Sequence, residues 1–381
     1  MALNNYKLGD LLMRNSEENK DLIYGISDVR GVRNTKGISN TKIDVSGRNL
    51  KTFLVVRPGG FIFNHRVHDK LGLGYNTSDE TYIFTNDYVS FYVKPEVKNR
   101  ILLPDYLYMW YLRPEFDRYM LFKTYGSATL FFSWDNMCEL EIELPDLPTQ
   151  QKYVDVYNAM VANQQAYERG LEDLNLTCDA YIENLRRRIP CERIGRYITE
   201  CNAKNDIGLT LDFVRGISTD KEFIDTKANM DGVSLSNYKI VSPNEIAFIS
   251  DTSRRGDKIS LAINSSKETY LVSSISTVFR TNSDHLIPQY LFLFFLRSEF
   301  NRYSRFHSWG SARETFDWDA MCDVQIPIPD IEIQKSIAEM YTVYNKRKKI
   351  NEQLKAQIKN ICPILIRGSL EDGGEPNGEP A

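Results

Sequence analysis

Between Arg30 and Lys70 the chain carries nine basic residues against only Asp44 and Asp69. A one-sided cluster of that kind is what a phosphate backbone responds to, whereas the whole-chain charge of −4 bounds solubility. The acid excess sits in Gly368–Ala381, where Glu371, Asp372, Glu375 and Glu379 meet no base, so the remainder is formally neutral. The plainer reading of the basic run is a solvated face. Residues that could do covalent chemistry are harder to find. There is no GxxxxGKS or GxxxxGKT phosphate loop and no GxGxxG following a strand pattern. Of the four histidines (His65, His68, His285, His307) the first two lie close, but no second Cys or His pair completes a zinc site. No GxSxG elbow occurs, and no acidic tetrapeptide runs into aromatic residues as adenine methyltransferases use to hold their target amine. The six cysteines are scattered without a CxxC pair, the usage of reduced thiols in a cytoplasm. The expectation is a binding protein with no catalytic residue, metal or cofactor of its own.

The elements that must position the basic residues come in duplicate. Tyr125–Asp146 (YGSATLFFSWDNMCELEIELPD) recurs 184 residues later as Trp309–Asp330 (WGSARETFDWDAMCDVQIPIPD), with 11 of 22 positions identical and no gap. An internal repeat fixes architecture before any other reading. Further pairs extend it: Gly9 with Gly195, Arg30-Gly31 with Arg215-Gly216, and DKLGLGYN (69–76) with DKISLAIN (257–264). Short alternating runs such as Phe61–Asn64, Tyr82–Phe84, Ile246–Ile249 and Tyr270–Val272, bounded by Gly, Asn, Asp and Pro, predict short antiparallel strands. A helical segment follows in each copy, Tyr106–Tyr119 and Tyr290–Tyr303, with Arg113/Arg297 and Arg118/Arg302 expected on its polar side. Cys138/Cys322, Phe132/Phe316 and Trp134/Trp318 read as core.

Beyond each Pro-rich stop comes a long helix. The first has a seam at Tyr153, Tyr157, Met160, Gln164, Tyr167, Leu171, Leu174, Cys178, Tyr181 and Leu185, with Gln164 its only polar member. The second runs from Ile337 to Ile361 with polar Arg347 and Asn351 inside it, and Pro363 is expected to end it. Seams stepping by four and three residues predict a coiled coil, with the two helices paired antiparallel. The fold expected is α+β: two β-rich units in tandem (1–148 and 189–330), two long helices (149–188 and 331–367), and a disordered acidic tail (368–381). No run approaches a membrane span, and the first residues lack the apolar core of a signal peptide. Two similar units spaced by helices suit a split site on a linear polymer; a protein-binding scaffold with duplicated domains is the alternative.

Each unit ends in a Gly-Ser pair, a Met ten residues after the Ser, a Pro-rich stop and a Gln-containing helix start (Gln150-Gln151, Gln334-Lys335). In this the chain resembles the specificity subunit of type I restriction-modification systems, from Tyr6 to about Arg367. The resemblance implies two target recognition domains reading a bipartite target in double-stranded DNA. It implies a non-catalytic subunit bound to two modification subunits, which carry S-adenosylmethionine and methylate adenine at N6, and to restriction subunits. One departure is the second half, where Arg215–Tyr270 holds eight bases against eight acids. On this reading the DNA-binding candidates are Arg30, Arg33, Lys36, Lys70, Gly126 and Ser127 in the first unit. In the second they are Arg215, Arg254, Arg255, Lys258, Gly310 and Ser311. Phosphate contacts are assigned to the Gly-Ser turns, Arg30, Arg215, Lys70 and Lys258, and base reading to Arg33, Lys36, Arg48, Arg66, Arg254 and Arg255.

Overall fold

A computed structural model describes residues 3–41, 44–126, 130–226, 228–252, 258–282, 284–310 and 313–374. The chain forms two compact units, Met1–Ala166 with Glu352–Ala381, and Tyr167–Asn351. In the first, an antiparallel sheet runs in the order Leu12–Asn15, Tyr88–Val93, Phe61–Asn64, Leu73–Tyr75. Phe91 stands opposite Phe61, and Phe61, Phe63 and Phe91 are fully buried beneath the helices Pro104–Tyr111 and Pro114–Lys123. Asn4–Lys7 pairs with Glu141–Leu144 and closes the unit. The second unit repeats this with a sheet of Ile198–Cys201, Ser276–Thr281, Ile246–Ile249 and Ser260–Ile263. Its helices are Pro288–Leu296 and Ser298–Phe306, and Cys191–Arg193 closes it against Gln325–Pro327. The expected single helical segment of each copy is thus two helices, broken before Pro114 in the first copy, since proline disfavours helical geometry in the residue before it, and at Arg297 in the second, where no proline stands.

Several repeated residues make the same bonds twice. Gln150 is buried at the start of the first long helix; it accepts from Leu103 N and donates to the carbonyls of Ile101 and Pro145. Gln334 does the same with Ile287 N, His285 and Pro329. A Cβ on Gly9 would stand 3.0 Å from Cys138 Cβ, and one on Gly195 2.8 Å from Cys322 Cβ, so both pairs record a close approach of backbone to side chain.

The long helices are Leu147–Arg188 and Ile331–Gly374. Within the first unit, Lys152 and Tyr153 at the start of one bond Asp372 near the end of the other, at 2.6 and 2.9 Å. Within the second, Gly170 lacks a side chain where the Arg347 guanidinium passes, and Cys178 meets Met340. Both sets run antiparallel, as expected. Each unit is closed by parts of both helices: Val154 with Cys362, Leu365 and Ile366 in the first, and Cys178, Ile182 and Leu185 with Ile337 and Tyr341 in the second.

The helix ends differ from expectation. Pro363 lies inside the second helix, which continues to Gly374, so residues 368–374 are helical and not a disordered tail. An interior proline costs roughly 3 kcal/mol. Here it is flanked by buried Cys362, Leu365, Ile366 and Ser369, the last bonded to Tyr106 at 2.6 Å; burying each large aliphatic contributes about 1.5–3 kcal/mol, which outweighs it. The seam of the first helix also shifts near its end: Tyr181 is exposed and Ile182 is buried in its place. No helix among the described residues is long and apolar enough to cross a membrane.

Candidate nucleic-acid interface

Three segments that are far apart in sequence converge in each unit, and they carry or flank the basic and Gly-Ser candidates. In the first unit Leu130–Phe131 pairs with Arg66–Val67, Tyr125 bonds Phe131 in both directions (3.2 and 2.8 Å), and His65 stacks on Phe131 at 5.5 Å. Tyr125 and Phe131 therefore stand beside the start of the 66–70 loop. In the second unit Trp309 bonds Thr315 in both directions (3.1 and 3.0 Å), Thr315 bridges to Asp251, and Thr252 N donates to Glu314 O at 3.0 Å. Trp309, Glu314 and Thr315 thereby stand beside Asp251 and Thr252. Both glycines lie at positive φ, +117° and +140°, and a Cβ on Gly310 would collide with the Arg313 carbonyl. The third loop, 33–37 or 218–222, closes with Arg33 N to Gly37 O and Ser218 N to Glu222 O, both 3.0 Å. Lys258 reaches it through Asp220 at 3.4 Å.

The lysine of that third loop points inward, contrary to the assignment of Lys36 as a base reader. Lys36 (φ +65°) donates to the carbonyl of Tyr111, the last residue of its helix, and pairs with Asp117 at 2.9 Å with only 4% of its side chain exposed. Burial lowers its pKa, Asp117 partly restores it, and nearby Lys70 lowers it further. The ammonium caps a helix C-terminus, where a cation is favoured. Lys221 (φ +63°) does the same for the Phe295 carbonyl, but Asn301 stands where Asp117 would, its buried Oδ1 without a hydrogen-bond partner among the described residues. Burial, with Lys258 nearby, pushes Lys221 down to about 8.

Arg30 and Arg215 are likewise engaged internally. Arg30 donates to the carbonyls of Ser27 and Val29 and lies over the Tyr82 ring at 4.5 Å. Arg215 repeats this with Asp212, Val214 and the Tyr270 ring at 5.0 Å, and adds Asp225 at 3.9 Å. These guanidiniums hold the preceding turn to the strand instead of standing free for phosphate. Arg297, expected on a polar face, is buried among Asp179, Glu183 and Glu299, while Arg113 stacks on Trp110 at 4.5 Å.

What remains on the surface is narrower. Arg33, Arg48 and Lys70 are exposed, and Arg66 makes only a loose pair with Asp87 at 3.7 Å. Lys70, Arg118, Lys355 and Lys359 line a cleft of about 650 Å³ in the first unit, against Asp69 and Asp117. Lys258 is exposed in the second. Ser127, Arg254, Arg255 and Ser311 lie outside the described residues. Phe132 and Phe316 are buried core as expected, and Trp134 and Trp318 pack partly buried against it. Sequence reasoning missed four aromatic residues before the Gly-Ser turns: Phe122 and Tyr125, Phe306 and Trp309 are 84, 59, 76 and 72% exposed. The signal was present, an aromatic pair three residues apart in both copies, but exposure is not written in residue type. No group of three or more His, Cys, Asp or Glu among the described residues could hold a metal.

Comparison with known proteins adds three findings. The family model of the type I restriction modification DNA specificity domain matches residues 212–360, which is most of the second copy and much of its helix. The HindI type I restriction enzyme specificity subunit of Haemophilus influenzae is 23% identical over 121 residues, which is 31% of this chain and 26% of that relative; the match thus spans about a quarter of the relative's length. The crystal structure of the S subunit of a type I restriction-modification system from M. genitalium superposes with a TM-score of 0.58 at 10% identity, covering 100% of this chain and 97% of that one, and so shows a shared fold. Residues 212–360 thus match the type I restriction modification DNA specificity domain, and the first half of the chain repeats the matched half element by element.

Proposed function

We propose that this chain is the sequence-specific DNA-binding subunit of a type I restriction-modification complex, each unit reading one half of a bipartite target. One observation carries the reading: in both units the same three segments, distant in sequence, are brought to one place, in a chain whose second copy matches the specificity-domain model. Arg33, Lys70, Lys258, Arg254, Arg255 and the Gly126-Ser127 and Gly310-Ser311 pairs contact the duplex. Lys36, Arg30 and Arg215 act behind them, fixing the loops. The subunit performs no catalysis and holds no cofactor. It directs adenine-N6 methylation by two modification subunits that carry S-adenosylmethionine, with restriction subunits joining the same cytoplasmic complex. Because the units are similar but not identical, the half-sites differ. The test is to map methylated adenines in cells carrying the modification subunit, with this chain, without it, and with residues 1–148 exchanged for those of a relative. Methylation should require the chain, and the exchange should alter one half-site only. Methylation independent of the chain would refute the reading, and a change in both half-sites would refute independent reading by the two units.

A further inference from the structure

Single exposed apolar side chains are ordinary on protein surfaces. The four aromatics before the Gly-Ser turns are not single. Phe122 and Phe306 close the helices Pro114–Lys123 and Ser298–Phe306, and Tyr125 and Trp309 open the hairpins that follow, at positions 184 residues apart. Exposure of 59–84% therefore recurs at equivalent places in both units. A folding role would bury these rings, as it buries Phe116 and Phe300 one to two turns earlier on the same helices.

The neighbourhood says what could cover them. From Arg118 to Trp134 the chain has Arg118 and Lys123 and no acid; from Arg302 to Arg313 it has Arg302, Arg305, His307 and Arg313 and no acid. Some of these bases hold surface pairs, to Glu115, Glu139 and Glu314, of the kind that contribute little and yield to a stronger anion. Charge separates this edge from the other apolar set that recurs, Leu22 and Ile26 with Ile207 and Leu211 (50–64% exposed). That set is flanked by Asp21, Asp28, Asp206 and Asp212, which a polyanion would avoid. In the first unit Leu121 and Arg118 also line the basic cleft that holds Lys70, so the aromatic edge is continuous with the cationic one.

We infer that Phe122 with Tyr125, and Phe306 with Trp309, form an apolar edge of each DNA interface, lying against sugars and base edges of the duplex. This rests on the DNA-binding reading above. Residues alike in both copies serve what the copies do in common, so the contact is independent of sequence and should be visible on random DNA. Apolar wedges set among bases on a DNA-binding surface are an established means of gripping and bending a duplex.

The test uses the full chain and a pool of random 40-base-pair duplexes. Burying one such ring is worth about tenfold or more in affinity, so Phe306→Ala/Trp309→Ala and Phe122→Ala/Tyr125→Ala should each bind at least about tenfold more weakly. The slope of log K against log salt should stay unchanged, because no charge is removed. Trp309 is the tryptophan most open to water, so duplex should shield its emission from acrylamide, and Trp309→Phe should abolish that response. Unchanged affinity of both double variants, with Trp309 still open to quencher in the complex, would overturn the inference and leave the DNA reading standing. Unchanged DNA affinity with loss of a modification subunit would overturn it in favour of a protein contact. Failure of the unaltered chain to bind the duplexes at low salt would instead remove the DNA reading, and the inference with it.

Discussion

Lys36 and Lys221 cap equivalent helices, yet replacing each by methionine should have opposite consequences. Lys36→Met leaves Asp117, whose side chain is only 15% exposed, without its cation. Removing one partner of a buried pair costs roughly 3–5 kcal/mol. Lys221 has no carboxylate at the position of Asp117. Its fall from 10.5 to about 8 corresponds to a penalty on the order of 3 kcal/mol for the charged form in the folded state. Methionine removes that penalty but also the bond to the Phe295 carbonyl, worth roughly 1.5–3 kcal/mol for a charged donor. Lys221→Met should therefore be neutral or mildly stabilising at pH 7. The pH dependence gives a second reading. Below about pH 8 both states carry the proton and the penalty is complete. Between about 8 and 10.5 the folded state has released it while the unfolded chain retains it, so the unfolded state binds more protons and stability rises with pH. Because other groups titrate in that range, the quantity to follow is the difference between the unaltered chain and Lys221→Met. It should move by about 3 kcal/mol in favour of the unaltered chain from pH 8 to 10.5, and Asn301→Asp, which supplies the missing carboxylate, should flatten the trend. Hydrogen exchange resolved by unit, in graded urea, measures both effects. Equal losses from Lys36→Met and Lys221→Met, or a pH-independent difference, would refute the argument.

Two further outcomes follow from the geometry. Arg33→Ala with Lys70→Ala should lower the salt slope of DNA binding by about 1.8, roughly 0.9 for each phosphate no longer neutralised, whereas Arg30→Ala should lower stability and leave the slope alone; a titration of affinity against salt decides, and an unchanged slope removes Arg33 and Lys70 from the interface. Gln150→Leu and Gln334→Leu each orphan one buried backbone N–H and two carbonyls, at about 1–3 kcal/mol apiece, so both should destabilise their own unit by several kcal/mol in urea unfolding, and a loss below about 1 kcal/mol in either would show that water repairs the network.

The parts of this molecule legible in its sequence are those decided locally or by repetition. The duplicated window, the short strands, the antiparallel helices and the buried Phe132 and Phe316 all follow from pattern, because a face that must be buried leaves a period. What was not legible depends on which way a side chain turns once the chain has folded. Lys36 belongs by sequence to a basic cluster, but a left-handed turn and the end of a neighbouring helix draw it inward. Arg297 sits on what reads as a polar face until the first long helix brings Asp179 and Glu183 to it. Pro363 breaks a helix by every local rule, and its tertiary neighbours override the rule.

The duplication also supplies a control that no single domain could. Residues alike in both copies divide into two kinds. Gln150/Gln334, Asn76/Asn264 and Gly9/Gly195 are matched by identical internal contacts, so folding alone accounts for their recurrence. Gly126/Gly310 and the aromatic pairs beside them recur on the surface, where folding leaves the aromatic rings largely uncovered, and a shared external contact is the remaining reason for them. The positions that differ sit among these: Arg33 occupies the turn position that Ser218 holds in the second unit, and the near-neutral second half keeps Lys258 where the first keeps Lys70. A common grip with divergent side chains set into it is what reading two unlike half-sites with one duplicated fold requires.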